Sequence, residues 1–270
     1  MDNRPIGVFD SGLGGLTAVR ELRKLLPREK IIYFGDTGRM PYGGRTREEI
    51  LAFTAQNVNF LKSFDVKFVL SACGTTSTIA LPVLKDSFGL PVYGVIEPAA
   101  EDAVRVTRNN RVGVIATVAT IAGGAFQKAI LSHLPGARIT DIPCPLLVPL
   151  IEAGHIDGGD PALDAALEEY LTPIREAGAD TLLLGCTHYP LISRAIVQRV
   201  EDYVNLIGAG ESAANRLFRS LPPEQRTEKR EGGVTCFTSG DAAVFRDTAA
   251  RILGRTLEGE IRHVEPFAAS

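Results

Sequence analysis

Short apolar runs recur along the chain, separated by longer stretches whose apolar residues fall at helical spacing. Runs at 5–9, 31–34, 66–70, 92–96, 111–115, 138–141, 181–184, 203–207, 234–237 and 261–264 read as strands. Stretches such as 15–26, 47–64 and 161–177 read as helices. Strands alternating with helices in this way predict an α/β fold of mostly parallel sheets covered on both faces. Such sheets bind ligands beyond the C-terminal ends of their strands. The turns after the strands are therefore where chemistry is expected.

Two of these strand ends are nearly the same. One apolar run leads into Ser71-Ala72-Cys73-Gly74-Thr75-Thr76, and another into Gly185-Cys186-Thr187-His188-Tyr189-Pro190. Two thiols facing one substrate could take a proton from one side and return one to the other. Three further segments recur in the same order. Ile6-Gly7-Val8-Phe9 matches Val112-Gly113-Val114-Ile115, 47–64 matches 161–177, and 91–96 matches 202–207. Offsets of about 106 to 114 residues between matched elements point to a duplicated α/β unit. Glu97-Pro98 and Gly208-Ala209-Gly210 interrupt the pattern at the ends of the repeats. The expected division is one domain of 1–98 with 208–270 and a second of 99–207. The stretch 221–233, rich in Pro, Gly and charge, reads as an exposed loop without catalytic content.

The turn Asp10-Ser11-Gly12-Leu13-Gly14-Gly15-Leu16-Thr17 follows a strand and opens a helix, so its backbone N–H groups can hold an anion. A dinucleotide, with Asp36 on the ribose, is one reading. It is disfavoured because the third glycine of the fingerprint falls at Thr17 and because Asp10 would repel a pyrophosphate. A carboxylate site with Asp10 handling protons fits better. The loop Asp36-Thr37-Gly38-Arg39-Met40-Pro41-Tyr42-Gly43-Gly44-Arg45 is longer than a chain reversal needs, which suits a segment closing over a ligand.

Composition narrows the class. The 270 residues are 45% hydrophobic and 23% charged, enough for a sizeable core, and the net charge of −3 gives no footprint for nucleic acid or an anionic membrane. No apolar segment resembles a signal or a membrane span. The four cysteines, at 73, 144, 186 and 236, lack C-x-x-C or metal-finger spacing, so a cytoplasmic protein with reduced thiols and no metal is expected. Cys144 and Cys236 read as packing residues. Cys73 and Cys186 sit at strand mouths, with Asp10 and His188 as their proton partners.

Taken together, these motifs resemble the glutamate racemases of the cofactor-independent aspartate/glutamate racemase superfamily. The resemblance spans essentially the whole chain and rests on 6–17, 36–43, Ala72-Cys73-Gly74-Thr75, Val148-Pro149-Leu150-Ile151-Glu152 and 185–190. It implies two pseudo-symmetric α/β domains with the active site in the cleft between them, and a two-base racemisation without cofactor or metal. By similarity, Cys73 takes the α-proton of D-glutamate and Cys186 supplies one to the opposite face, with roles exchanged for L-glutamate. Asp10 assists Cys73, and His188, supported by Glu152, assists Cys186. Asp10, Ser11, Pro41, Tyr42, Gly43, Gly74, Thr75, Thr117, Thr120, Thr187 and His188 are the implied substrate contacts. Supply of D-glutamate for peptidoglycan and a homodimer are implied too. A racemase of another substrate, such as aspartate or a hydantoin, and a non-catalytic dicarboxylate binder are the alternatives. The chain departs from the family at Gly74, where asparagine is usual, at Thr76, where a smaller residue is common, and at 208–210.

Overall fold

Ten strands and twelve α-helices form within residues 1–228, 232–253 and 261–265, which the computed structural model describes. The strands are β1 (Ile6–Asp10), β2 (Lys30–Gly35), β3 (Phe68–Ser71), β4 (Val92–Tyr93), β5 (Arg111–Ala116), β6 (Arg138–Pro143), β7 (Thr181–Leu184), β8 (Asn205–Gly208), β9 (Gly233–Thr238) and β10 (Ile261–His263). The first helices are α1 (Leu16–Leu25), α2 (Arg47–Lys62), α3 (Gly74–Ile79), α4 (Leu81–Leu84), α5 (Ile96–Val106) and α6 (Val118–Ala122). They are followed by α7 (Ala125–His133), α8 (Leu147–Ala153), α9 (Pro161–Glu176), α10 (Ser193–Val197), α11 (Ala209–Ser220) and α12 (Ala242–Leu253).

The strands make two sheets, ordered β10-β9-β2-β1-β3-β4 and β6-β5-β7-β8, and each pairing is parallel. The path β2-β1-β3-β4 repeats as β6-β5-β7-β8. Equivalent residues hold equivalent places: Ile6 lies opposite Ile31 and Phe68, and Val112 lies opposite Ile139 and Thr181. The duplicated sequence pattern is thus a duplicated topology. β9 and β10 extend the first sheet alone.

Burial explains why the strands were legible. β1, β3 and β7 are buried at each residue, so they carry near-continuous apolar runs. Helix starts are equally local. Thr46 and Glu49 form a reciprocal capping box at α2, and Asp160 accepts the N–H groups of Ala162 and Leu163 ahead of α9. A shared core joins the sheets, because Ala99, Ala100 and Ala103 of α5 and Ala213 and Ala214 of α11 are buried in one cluster with Val8, Val112 and Leu183. The other face of the first sheet is aromatic, with Phe60 tilted against Phe34 and edge-on to Phe64 and Phe237.

Three expectations change. The run 92–96 is a strand only at Val92–Tyr93, and α5 begins at Ile96. Glu97-Pro98 therefore opens a helix rather than breaking the chain, since proline's missing N–H costs nothing in a first turn. Ala209 and Gly210 likewise begin α11 directly after β8, with Gly210 close against Ala18 of α1. The described part of 221–233 is largely exposed, as expected, with Pro223–Gln225 and Glu228 exposed, and it is held in place: Arg226 donates to Leu221 O and Phe218 O, and Gln225 O accepts from Lys67 Nζ. Lys67 also makes a buried 2.7 Å ion pair with Glu29. No helix among the described residues is long and apolar enough to cross a membrane.

Candidate active site

Cys73 and Cys186 each lie two residues beyond the last residue of a central strand, β3 and β7, so the duplicated topology brings one thiol from each sheet to one cleft. The cavity has a volume of about 370 Å³, within the range of small-molecule sites. Ser11, Pro41, Tyr42, Gly43, Cys73, Gly74, Thr75, Thr117, Thr120, Glu152, Cys186, Thr187 and His188 all line it. Asp10 does not: it is 0% exposed and sits behind the wall.

On the first side, Cys73 is the N-cap residue of α3, and its thiol lies 3.6 Å from the Ser11 hydroxyl. Asp10 turns inward to its own turn. It accepts from Gly12 N–H at 3.0 Å and from Gly15 N–H, and it meets the Thr187 hydroxyl of the opposite half at 3.4 Å. The anion cradled by this turn is therefore the chain's own carboxylate. A Cβ on Gly15 would lie 2.6 Å from the Asp10 Cβ, so the turn closes only around glycine. Burial pushes the Asp10 carboxyl up, against the pull of His188 and of the hydrogen bonds. Burial and then the Asp10 charge push the Cys73 thiol up, opposed by Thr76 and Ser11. A thiol held above its ordinary value yields a stronger base once ionised.

The second side has the opposite polarity. His188 Nδ1 lies 3.7 Å from the Cys186 sulfur, and Nε2 lies 3.1 Å from Glu152 Oε1. Burial alone would lower its pKa. The hydrogen bonds to Cys186 and Glu152, with the charges of Cys186 and Asp10, outweigh burial and raise it to about 10. Both ring nitrogens then carry protons at neutral pH, one aimed at the sulfur and one at the carboxylate.

Three hydroxyls on the cavity wall form a triangle. Thr75 lies 3.1 Å from Thr117 and 3.3 Å from Thr120, which are 2.9 Å apart. Thr75 comes from α3 and its partners from the start of α6, so the cluster bridges the halves with donors available to a carboxylate. The loop 36–45 closes another wall around a buried hub. Asp36 accepts from the Tyr42 hydroxyl, from Arg39 Nε at 2.8 Å and from Ser239 at 2.6 Å, and Asn57 donates to Tyr42 at 3.1 Å. Asp36 is thereby fully engaged, which removes it as a ribose ligand.

Sequence reasoning missed Met40, Val118, Cys144, Pro145, Val148 and Pro149, which also line the cavity. Cys144 packs as expected, and burial raises its thiol strongly, yet it also forms cleft wall. A signal existed. Cys144-Pro145 follow β6 as the 36–45 loop follows β2 in the matching half, and Val148 shares a helix face with Glu152 at i, i+4. Cys236 lies in β9 within the core, away from the cleft.

Two like-ordered parallel sheets, each presenting a thiol across a shared cleft, define an α/β protein of the paired-half, two-cysteine class. Comparison with known proteins is specific. Residues 15–217 match the model of the Asp/Glu/Hydantoin racemase family, and the chain belongs to that family. It is 39% identical over 94% of its length to a glutamate racemase of Desulforudis audaxviator, of which it covers 95%. It is similar to the crystal structure of a glutamate racemase isoform from Bacillus anthracis, at TM-score 0.92 and 34% identity, covering 98% and 99% of the two chains. It is also similar to the Francisella tularensis glutamate racemase solved in complex with D-glutamate, at TM-score 0.90 and 35% identity, with 98% and 99% covered.

Proposed function

We propose that the protein is a glutamate racemase, an isomerase that moves the α-proton of glutamate between Cys73 and Cys186. The observation that carries this reading is the placement of one thiol from each half on a single cavity. For D-glutamate, the Cys73 thiolate takes the α-proton to form an S–H bond, and the C–H electrons pass into the carboxylate-conjugated carbanion. The Cys186 S–H then protonates the opposite face and is left as thiolate, with His188 as its proton reserve. L-glutamate reverses the roles. Asp10, sealed from the cavity, acts through the basicity of Cys73, and Glu152 orients His188.

Such a carbanion is hard to form in water, so the cleft must supply donors for the developing charge and exclude solvent. The Thr75-Thr117-Thr120 cluster, Ser11, Thr187 and the backbone at 42–43 are suited to the carboxylates and the ammonium. In this reading the halves are 1–98 with 208–270 and 99–207. The protein works in the cytoplasm as a homodimer and supplies D-glutamate for peptidoglycan.

The test is incubation with L-glutamate in deuterated water, following optical rotation and α-deuterium together. Rotation falling toward zero with deuterium uptake is the expected result. Parallel incubations with D-glutamate and aspartate separate this activity from that of a relative with another substrate, and inertness toward all three would sink the racemase reading.

A further inference from the structure

Thr76 lies three residues after Cys73, the spacing at which the N3 residue of a helix reaches back to its N-cap. Its side chain is 0% exposed, and among the described residues its hydroxyl makes no hydrogen bond of good geometry. A buried hydroxyl left unpaired is costly and calls for an explanation. Ser71 and Thr78 have unpaired hydroxyls too, but Thr76 alone of the three bears on a reacting atom. Its hydroxyl and its backbone N–H both favour the ionised form of the Cys73 sulfur. In the resting thiol the N-cap side chain accepts no hydrogen bond.

We propose that Thr76 is a positioning residue for the Cys73 thiolate, its hydroxyl closing onto the sulfur as the thiol proton leaves. A neutral thiol is a weak acceptor and a thiolate a strong one, so the hydroxyl's contact with the sulfur strengthens in the reactive state. An interaction stronger in that state than in the resting one raises turnover more than ground-state affinity. Cys73 otherwise faces two titratable groups, Asp10 on β1 and Tyr33 on β2, and the Ser11 hydroxyl. None of them replaces a donor at the α3 end of the sulfur.

This role rests on the two-thiol reading of the cleft, but its test does not need turnover. In the full chain, alkylation of Cys73 by iodoacetamide is followed against pH, with the Cys73 peptide resolved by mass spectrometry. Thr76→Val, which keeps the shape and removes the hydroxyl, is expected to raise the Cys73 midpoint by roughly one to two pH units. Thr76→Ser is expected to titrate near wild type. With glutamate, the valine variant should lose roughly tenfold or more in kcat with KM nearly unchanged, and the acid limb of its pH profile should move up. A Cys73 midpoint unmoved in the valine variant would overturn the proposal. Should the valine variant not fold, Thr76→Ala removes the same hydroxyl, and its midpoint is held to the same expectation. A shifted midpoint in a protein whose wild type lacks turnover would instead indict the racemase reading.

Discussion

A Cβ placed on Gly74 would lie 2.3 Å from the carbonyl oxygen of Gly185, so the turn carrying one thiol rests directly on the turn carrying the other. The asparagine usual in the family at this position would force the two turns apart. Gly14 makes a second contact of this kind, where a Cβ would meet Thr187 Oγ1 at 2.3 Å and His188 Nδ1 at 2.6 Å.

Gly74→Ala should therefore overpack the floor of the cleft. Overpacking costs about 1–3 kcal/mol, and a shift of about 1 Å between reacting groups costs roughly a hundredfold in rate. The expected outcome is a lower urea midpoint and a fall in kcat of roughly ten- to a hundredfold, read by equilibrium unfolding and steady-state kinetics.

Cys73→Ser and Cys186→Ser should each lose racemisation by about 10²- to 10⁴-fold, the span of a general acid or base. A glutamate analogue with a β leaving group needs only one proton abstraction. Each variant should still eliminate from one enantiomer of such an analogue, and opposite enantiomers for the two variants would assign a thiol to each face.

How much of this was legible in the sequence depends on range. The fully buried strands β1, β3 and β7 show themselves as apolar runs, the more exposed β6, β8 and β10 were visible from short apolar segments between turns, and β4 was overdrawn because Val95 and Ile96 are apolar in a helix as well as in a strand. Polar residues at strand mouths stood out for the same local reason. Met40 and Val148 did not, since an apolar residue lining a cleft looks like one in a core. The close approach of Gly74 to Gly185 depends on long-range packing, which no local pattern encodes.

His188 sets a pH dependence of stability. Its folded pKa of about 10 lies above the ordinary value of 6.5, so between these values the folded protein binds more protons than the unfolded chain. Its stabilising contribution is complete below about pH 6.5 and is lost as pH rises through about 10. Wild type should lose stability across that window, and His188→Gln should flatten the loss, as measured by denaturant unfolding at a series of pH values.

Tyr42→Phe removes the hydroxyl that Asp36 accepts from and Asn57 donates to. Leaving such buried groups short of a partner costs about 1–3 kcal/mol. The loop wall should slacken, raising KM more than it lowers kcat, with a matching loss in unfolding free energy.

The two carboxylates proposed to serve the thiols also differ in their contact with water. The Glu152 side chain is 27% exposed and bonds the imidazole beside Cys186, whereas Asp10 is 0% exposed. A hydrogen isotope on Cys186 therefore has a relay outward through the imidazole and the Glu152 carboxylate, and the buried carboxylate beside Cys73 offers no such relay. The equilibrium between mirror-image substrates must still lie at unity, but each thiol keeps a different memory of the hydrogen it has taken.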